Sequence, residues 1–480
     1  MPRGTGTASL ALALAGCVTV GPDYVEPKLA APAAWQRIDP SAVTSTAATL
    51  TDLTRWWAFL DDPLLSTLIE QALVANTDVR TAQARLREAR ARRALAQADL
   101  APTVRGSASA ARNNGSAETG SGATFEIYQA GLDANWEADI FGGRRRAIEA
   151  AQADVESSAS ILQGTRVSLA AEVALNYIDI RQFQALLEVA RRNLETQTET
   201  WQLTDWRTQA GLSSALELEQ ARTALEQTRA QIPLLESQLA QAQDRMTTLL
   251  ATTPGTLPPA LIEAGPLPSA RDRVAVGIPA DVLRQRPDVR AAERRLAAET
   301  ARIGEIAATR YPDFTLSGSI GLEALSFSAL GNSAALASSL LAGVSGVLFD
   351  GGRIRSRVEA QESLRDQALI AYEAAVIAAL QEVESALAVL RHSHTRQQVL
   401  RDAVEAARNA ALYALQRYRS GIVDFQAVLD TQRTVLLVEE TYTAAQANNV
   451  SSLIRLYKAL GGGWTPTGMQ NTPSPAGETS

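Results

Sequence analysis

Cys17 has the most distinctive chemistry in the chain, because it is the only cysteine in 480 residues. A single thiol cannot form a disulfide within its own chain. It follows an apolar run from Ala8 to Ala15, one positive charge at Arg3 and a final small residue, Gly16. This order is typical of a secretory targeting segment, so we predict a signal peptide over residues 1–16.

The residues from Leu14 to Cys17 spell Leu-Ala-Gly-Cys, which resembles the lipobox of bacterial lipoproteins. In that class the cysteine thiol is joined to diacylglycerol, the preceding peptide is removed and the new amino terminus is acylated. The resemblance implies a covalent lipid on Cys17, and we predict no other cofactor. Several acyl chains are enough for stable anchoring. Val18 stands where an aspartate usually retains a lipoprotein in the inner membrane, which implies the outer membrane. The alternative is a buried or incidental thiol.

The two histidines, His392 and His394, raise the question of a metal site. Residues two apart on a helix lie about 200° around its axis, so a continuous helix cannot turn both toward one ion. The sequence also has no Gly-rich phosphate loop, nucleophile triad or zinc motif. We therefore predict no metal site, no catalytic residue and no enzyme activity.

Composition narrows the class of protein further. The net charge of −7 and the sequence pI of about 5.3 give no basic field for binding nucleic acid. Long tracts of Ala, Gln, Arg, Glu and Leu are typical of long helices and coiled coils. The sequence has no run of eighteen or more apolar residues, so a membrane crossing would have to use strands.

The chain contains two copies of one sequence unit. Asp-Val-Arg begins at Asp78 and again at Asp288, and each stretch closes with a proline, at Pro102 and Pro312. The offset is constant at 312 − 102 = 210 residues. Further pairs keep the same order: FGGRRR with DGGRIR, and AGLSSALELEQAR with SGIVDFQAVLDTQ. A unit of this length is a duplicated half and not a solenoid repeat.

Each half has the same predicted order of a helix, two strands and two very long helices. The predicted first helices are 63–100 and 280–310, and the predicted strands are 103–112, 123–141, 313–323 and 336–349. The predicted segments are an extended lipidated segment 17–62, a first repeat 63–253, a linker 254–279, a second repeat 280–460 and a tail 461–480.

The strand from Tyr128 to Ile140 alternates strictly between apolar and polar residues. A period of two gives a strand one apolar and one polar face. The strand that begins at Asp313 alternates in the same way, with Phe314, Leu316 and Ile320 on the apolar face. We predict that the polar face lines the lumen of a membrane barrel, through Gln129, Asp133, Asn135, Glu137 and Asp139.

Such strands can cross a bilayer only in a closed barrel, because an open edge leaves backbone groups unpaired in hydrocarbon. Barrels start at about eight strands, so four strands from one chain cannot close. Two chains would give a lumen filled by side chains, and three would give a water-filled pore. The alternative is a soluble sandwich or hairpin pair with one wet face.

The long helices carry apolar residues at alternating steps of four and three, from Leu169 to Trp201 and from Leu218 to Leu249. These heptad patterns bury one stripe of a helix against a neighbour. A helix from Arg144 to Gln209 would be on the order of 100 Å long at 1.5 Å per residue. Glycine permits the tight reversal that follows each long helix, because it tolerates positive φ.

The combined motifs resemble the outer membrane factors of tripartite export systems, the TolC-like proteins, and within them the OprM and NodT lipoprotein branch. The matching stretches are GPDYVEP from Gly21, RWWAFLDDPLL from Arg55, IPADVLRQRPDVRAAERRLAAETARIGEIAATRYPDFTLSGSIG from Ile278, and FDGGRIRS from Phe349. The resemblance implies a homotrimer with a twelve-stranded outer-membrane β-barrel, continued by a long periplasmic α-helical barrel.

The resemblance also implies a passive exit duct in the Gram-negative outer membrane. Its implied partners are a periplasmic adaptor, an inner-membrane pump, often of the proton-driven RND class, and outer membrane lipid. The alternatives are a type I secretion duct, a metal-efflux duct or a non-conducting lipoprotein coiled-coil scaffold.

Two groups of site residues follow from the resemblance. The turns between long helices would be tips that contact the adaptor, through Gly211, Leu212, Ser213, Gly421 and Ile422. The helix after the second turn would carry a periplasmic gate, formed by Asp424, Gln426, Asp430 and Arg433. Asp430 and Arg433 lie three apart on one helix face. Gln426 departs from the family pattern, which often has an apolar residue at that position.

Overall fold

The structure is a computed structural model that describes residues 19–27, 32–37, 43–45, 54–120, 122–268, 274–275 and 279–464. Cys17, the predicted signal peptide and most of the predicted tail lie outside these residues. The chain divides into two compact units. The first unit contains Met1–Lys28, Arg85–Ala159 and Ala291–Ala374, and the second contains Leu29–Ala84, Ser160–Arg290 and Ala375–Ser480. Each unit holds segments of both repeats, so the predicted segment boundaries stay predictions.

The helices of the two repeats correspond in length. The first repeat has α1 (Pro63–Ala75), α2 (Thr77–Ala98), α3 (Gly143–Gln209) and α4 (Ala215–Leu249), followed by the one-turn α5 (Pro259–Ile262). The second has α6 (Pro279–Gln285), α7 (Pro287–Ala308), α8 (Arg353–Arg419) and α9 (Phe425–Ala459). Both α3 and α8 have 67 residues, and both α4 and α9 have 35. In the described part of the chain, no helix is both long enough and apolar enough to cross a membrane.

The helix predicted to open each repeat is in fact two helices, and the prediction of one continuous helix was wrong. The breaks fall at Asn76 and Arg286, which are equivalent because 286 − 76 = 210. The Asn76 side chain accepts a hydrogen bond from the Asp78 amide at 2.8 Å, which caps the start of α2. Arg286 precedes Pro287, and a residue before proline is disfavoured in a helix.

The first unit contains a four-stranded antiparallel sheet. Its strands pair in chain order: β1 (Thr103–Asn114), β2 (Thr124–Ala138), β3 (Asp313–Ala324) and β4 (Leu336–Ser345). Each repeat contributes one hairpin, and β2 pairs with β3 from Tyr128 opposite Ala324 to Ala138 opposite Phe314. Among the described residues, β1 and β4 are therefore the edges of this sheet. A short parallel pair, Val43–Ser45 with Val274–Ala275, forms a separate sheet.

Two strands end earlier than the sequence predicted. The strand predicted to reach residue 141 ends at Ala138, because the chain turns into α3 through Gly142, which has a φ of +79°. The strand predicted to reach residue 349 ends at Ser345. Ser345 lies opposite Asp313, the first residue of β3, so the residues after Ser345 have no partner strand among the described residues.

The second unit has its own aromatic core. Trp56 is fully buried and stacks on Tyr457, with ring centroids 5.5 Å apart. The hydroxyl of the buried Tyr177 donates to Asp62 at 2.6 Å, and the other oxygen of Asp62 caps α1 by accepting from the Leu65 amide. Burial, together with this hydrogen bond, raises the pKa of Tyr177 to about 12. These contacts tie the start of the first repeat to its long helix.

Candidate functional site

The four-stranded sheet has one polar and one apolar face. Residues directly opposite each other in an antiparallel pair share a face, and side chains alternate along each strand. The register places Asp133 opposite Arg105 on one side and opposite Ser319 on the other. The polar face is formed by Arg105, Ser107, Ser109, Gln129, Asp133, Asn135, Glu137, Thr315, Ser317, Ser319, Glu323 and Ser339.

Hydrogen bonds between neighbouring strands join these polar side chains. Ser107 donates to Asp133 at 3.2 Å, Ser317 donates to Asn135 at 3.0 Å, and the Ser319 and Ser339 hydroxyls lie 2.8 Å apart. All of these side chains are exposed to solvent. The contacts run across three strand pairs, so the face is mainly polar and suited to contact with water, although it also carries the exposed Leu341 opposite Ser317.

The opposite face is apolar and exposed. It carries Leu132, Leu316, Ile320, Leu340 and Val344, and Leu340 keeps 79% of its surface exposed. Exposed apolar patches of this kind mark contact with a membrane or another protein.

Charged side chains connect the C-terminal end of β2 to the start of α3. Arg144 donates to Glu137 at 2.6 Å, and the amides of Arg144 and Arg145 donate to the two Asp139 oxygens at 3.0 Å each. Asp139 lies after the last residue of β2 and caps α3. Its carboxylate is therefore committed to the helix start, and a place for Asp139 in a pore wall stays a prediction, as it does for Glu137.

The two turns between long helices in the second unit have the same geometry. Gly211 and Gly421 have φ values of +73° and +72°, a region that favours glycine. The Leu212 amide donates to the Arg207 carbonyl at 2.7 Å, and the equivalent Ile422 amide donates across its turn at 2.9 Å. These are Schellman-type helix ends. The Leu212 and Ile422 side chains remain exposed, so each turn presents one apolar side chain.

A buried cluster supports these turns. Tyr418 packs on Phe425 with ring centroids 5.4 Å apart, and its hydroxyl lies 3.3 Å from the Ser213 hydroxyl in the other turn. The Arg207 guanidinium lies over the Tyr418 ring, 4.8 Å from its centroid. Neither Tyr418 nor Arg207 is among the site residues predicted from the sequence. No local signal could have found this pair, since a contact between residues of different repeats leaves no periodic pattern.

The predicted gate residues lie in the first turns of α9 and are exposed. Asp424 caps α9 by accepting from the Ala427 amide at 3.1 Å. Gln426 donates to Asp430 at 3.0 Å. Within the residues that the structure describes, no ion pair joins Asp430 to Arg433, because the carboxylate turns toward the residue four positions earlier. A gate formed by these residues stays a prediction.

The predicted lipid site and histidines add no further centre. Cys17 lies outside the described residues. His394 contacts Gln398 at 2.9 Å, and His392 lies 3.4 Å from Arg391. In the described ranges, no group of three or more His, Cys, Asp or Glu side chains is arranged to hold a metal ion. The absence of a metal, of a further cofactor and of catalysis stays a prediction.

Residues 68–252 and 278–462 each match the family described as outer membrane efflux protein. The two matches begin 278 − 68 = 210 residues apart, which is the offset of the internal repeat. The chain belongs to this family.

Similar proteins agree with this membership. The chain is 33% identical over 472 residues to the pyoverdine export outer membrane protein OpmQ of Pseudomonas putida, covering 97% of this chain and 98% of the relative. It is 31% identical over 467 residues to the toluene efflux pump outer membrane protein TtgF of Pseudomonas putida, covering 95% and 96%. The structure of the outer-membrane channel OprN matches with 37% identity and a TM-score of 0.86, covering 93% of this chain and 99% of that one.

The comparisons confirm the main predictions from sequence. The fold is mainly helical with a small antiparallel sheet, built as two repeats with two strands each. The protein is an outer-membrane efflux protein of Gram-negative type, and its function is export. The family and these relatives are described as efflux or export proteins and not as enzymes.

Proposed function

We propose that the protein forms a homotrimeric exit duct, which receives substrates from a periplasmic adaptor and an inner-membrane pump and releases them outside the cell. One observation carries this proposal: a sheet with a mainly polar face, an exposed apolar face and two edges, β1 and β4, that are unpaired among the described residues. In hydrocarbon, each unpaired backbone group costs several kcal/mol, so the edges need partner strands.

Three copies supply the strand number that a water-filled duct needs. Four strands from each of three chains make a twelve-stranded barrel, which is above the roughly eight strands whose interior is filled by side chains. In this barrel the face with Gln129, Asp133 and Asn135 lines the lumen, and the face with Leu340 and Val344 contacts lipid. The hydrogen bonds between polar side chains support a lumen that stays wet.

The turns at Gly211 and Gly421 are the contact sites that we propose for the adaptor. Exposed Leu212 and Ile422 give each turn an apolar contact, and the matching geometry of the turns suits an adaptor that binds both repeats in similar ways. We propose that Asp430, Arg433, Asp424 and Gln426 form a gate when copies bring their α9 helices together. The relatives export compounds as different as toluene and pyoverdine, and we propose a pump of the RND class.

We propose that Cys17 carries the lipid anchor. The N-terminal segment, Thr19–Pro27, belongs to the first unit and is held there by hydrogen bonds, in which the Val20 amide donates to the Phe141 carbonyl at 3.1 Å. Arg146 donates to Asp23 at 2.6 Å and to the Val20 carbonyl at 3.2 Å. Three residues of chain, from Cys17 to Val20, span at most about 11 Å, so these contacts would limit how far Cys17 can lie from the end of β2. Acyl chains attached there would enter lipid next to the barrel.

Conductance of the purified protein in a planar bilayer tests the duct. We expect Asp430→Ala with Arg433→Ala to pass current, because loosening the gate opens the path, while the unchanged protein passes less. The matched control is Asp402→Ala with Arg401→Ala. It removes an exposed ion pair on α8, away from the gate residues of α9, and should leave the conductance unchanged. A trimer that inserts into bilayers but conducts in neither form would favour a non-conducting scaffold. A monomer that needs no detergent would contradict membrane insertion.

Export assays then separate the remaining alternatives. Deletion of the protein should raise sensitivity to small organic compounds if an RND pump is the partner. A defect confined to secretion of a protein substrate, or to metal tolerance, would instead support the type I or the metal-efflux alternative.

A further inference from the structure

A cavity of about 390 Å³ lies in the first unit, between α2, α3 and α7. Its size falls in the range of about 300–1,000 Å³ that is usual for small-molecule sites. The charged side chains around it are four arginines and three carboxylates: Arg85, Arg92, Arg295, Arg302, Glu88, Asp154 and Glu299. We call this cavity the arginine pocket. It carries a net charge of +1 in a chain whose net charge is −7.

The four arginines of the pocket occupy equivalent positions in the two repeats. Arg85 and Arg92 lie on α2, and Arg295 and Arg302 lie on α7. Both 295 − 85 and 302 − 92 give the repeat offset of 210. Within each helix the two arginines are seven residues apart, which is about two turns, so they share one side of the helix. The two helices therefore present matching pairs of positive charge to one cavity.

Two of the arginines are already paired with the carboxylates of the pocket. Arg92 donates to Glu88 at 2.8 Å. Arg302 donates to Glu299 at 2.7 Å and forms a second ion pair with Asp154. All three carboxylates thus have a guanidinium partner inside the pocket, and their charges do not remain free to attract a cation.

Arg85 and Arg295 are the donors that remain for a ligand. In the part of the chain that the structure describes, neither forms an ion pair or a hydrogen bond, and both are exposed. A guanidinium presents its N–H donors in a fixed fork, which matches two oxygens of a carboxylate or a phosphate. Burial raises the pKa of the adjacent Asp154, although the charges of Arg302 and Arg295 oppose it. Electrostatic interactions are stronger where water is partly excluded in this way.

The pocket lies on the side of α7 opposite the N-terminal segment. Glu293 accepts a hydrogen bond from the Tyr24 hydroxyl at 2.9 Å, and Gly304 lies directly against the segment. At about 100° per residue, these two positions of α7 lie within about 20° of each other around the helix axis. Arg295 and Arg302 lie about 200° and 180° from Glu293. The segment and the pocket therefore occupy opposite faces of the same helix.

The proposed lipid anchor then indicates which face of α7 is toward the duct. The segment leads back to Cys17, and acyl chains on Cys17 must lie outside the barrel, where the lipid is. The segment would therefore mark the outer surface of the helices in the first unit. The arginine pocket, on the opposite face, would open toward the lumen.

We infer that the arginine pocket binds the carboxylate or phosphate group of compounds in transit, held between the guanidiniums of Arg85 and Arg295. The inference deepens the proposed function and rests on it, because it names a class of substrate for the proposed duct. Three copies would place three such pockets around one lumen. Arginine side chains that line a pore favour the passage of anions.

Calorimetric titration of the full-length protein in detergent tests the binding. The ligands are succinate, inorganic phosphate and succinamide, which is similar in size to succinate but uncharged. We expect succinate or phosphate to bind and succinamide not to bind. Arg85→Gln with Arg295→Gln should weaken the binding at least about tenfold, which corresponds to the loss of about 1.4 kcal/mol, or one hydrogen bond between charged groups.

Two further variants separate the shape of the guanidinium from its charge. Arg85→Lys with Arg295→Lys keeps the charge but removes the fork, and should weaken the binding less than the glutamine variant does. The matched control is Arg87→Gln with Arg90→Gln, which removes the same charge from exposed positions of α2 outside the pocket. This control should bind as the unchanged protein does.

Current through the gate variant Asp430→Ala with Arg433→Ala tests whether the pocket faces the lumen. Succinate should reduce this current, and succinamide should not. The reversal potential in a KCl gradient reports the ratio of anion to cation permeability. Adding Arg85→Gln and Arg295→Gln should shift this ratio toward cations.

The outcomes separate this inference from the proposed function. A protein that conducts but binds neither anion would overturn the inference and leave the duct standing. Binding that persists in the Arg85→Gln with Arg295→Gln variant would do the same, provided that circular dichroism shows intact helices. Binding without any effect on the current would exclude a pocket in the lumen. A protein that never conducts would overturn the duct and the role in transit, while the titration would still decide whether the pocket binds anions.

Discussion

Replacing Gly304 with alanine should release the N-terminal segment from α7. An added Cβ at Gly304 would lie 2.6 Å from the Val20 carbonyl oxygen and 2.8 Å from Cγ of Arg146. Backbone approaches below 3.0 Å require something to move. We expect the segment to move, because α3 and α7 are held along their lengths by helical hydrogen bonds. Gly21 of the segment lies directly against Gly304, since a Cβ built on Gly21 would lie 2.3 Å from the Gly304 Cα.

The magnitude follows from the four hydrogen bonds that hold residues 20–23 of the segment beside Gly304. They are Val20 to Phe141, and Arg146 to the Val20 carbonyl, to the Gly21 carbonyl and to Asp23. A fifth bond, from the Tyr24 hydroxyl to Glu293, lies further along the segment. At a net 0.5–1.5 kcal/mol each, the four bonds contribute about 2–6 kcal/mol, which is the local stability that the segment should lose. Alanine in place of a helical glycine favours α7 by about 1 kcal/mol whether the segment is attached or released.

Amide hydrogen exchange at Val20 measures this loss, because its N–H is the donor to Phe141. Each 1.4 kcal/mol of lost local stability is about a tenfold faster exchange, so the variant should exchange at least about 25-fold faster. The matched control is Gly164→Ala, also at a helical glycine, where an added Cβ would meet Pro287 at an ordinary 3.7 Å. It should leave Val20 exchange unchanged. Unchanged exchange in Gly304→Ala, with helix content intact by circular dichroism, would refute the steric reasoning.

Further predictions concern the turn, the sheet and the ion pair between the buried Arg286 and the exposed Asp288. Gly421→Ala should destabilise its turn by about 1–2 kcal/mol, because φ is positive there, and Gly421→Asn should cost less, which exchange at the following amide would measure. Leu340→Arg should destabilise the assembled protein by about 2–4 kcal/mol if it lies at the bilayer midplane, whereas the polar-face control Ser339→Arg should be tolerated, and yield of folded protein in outer membranes would separate them. Burial opposes ionisation of Asp288, but the hydrogen bonds and charge of Arg286 outweigh it and hold the pKa of Asp288 below its ordinary 3.8. Its stabilising effect is then present above that value and is lost as pH falls through the lower folded pKa, so Asp288→Asn should flatten the acid limb of thermal unfolding between pH 4 and pH 2, and an unchanged limb would contradict this assignment.

Much of the fold follows from patterns that repeat along the chain. The alternation from Tyr128 onward predicted which residues share a face, and the sheet register joins that face to Ser317 and Ser319 of the other repeat. Heptad spacing predicted the long helices, and α3 begins one residue before the predicted Arg144 and ends at Gln209. Such patterns suffice when burial follows a regular period. The breaks at Asn76 and Arg286 follow from single capping or pre-proline residues, so no period reveals them.

The site shows where local spacing stops being informative. Residues three and four apart on a helix are both neighbours, so the sequence could not tell whether Asp430 would turn toward Arg433 or toward Gln426. The amide of Gln426 reaches the carboxylate at 3.0 Å, and this contact leaves Arg433 exposed. At the equivalent position of the first repeat stands Leu216, which is also exposed, so the duplication preserved the helix and changed the chemistry of its exposed face. We therefore expect closure to depend on positions at which the two repeats differ, and a comparison of Gln426→Leu with the unchanged protein in the conductance assay would measure how much the polar residue affects it.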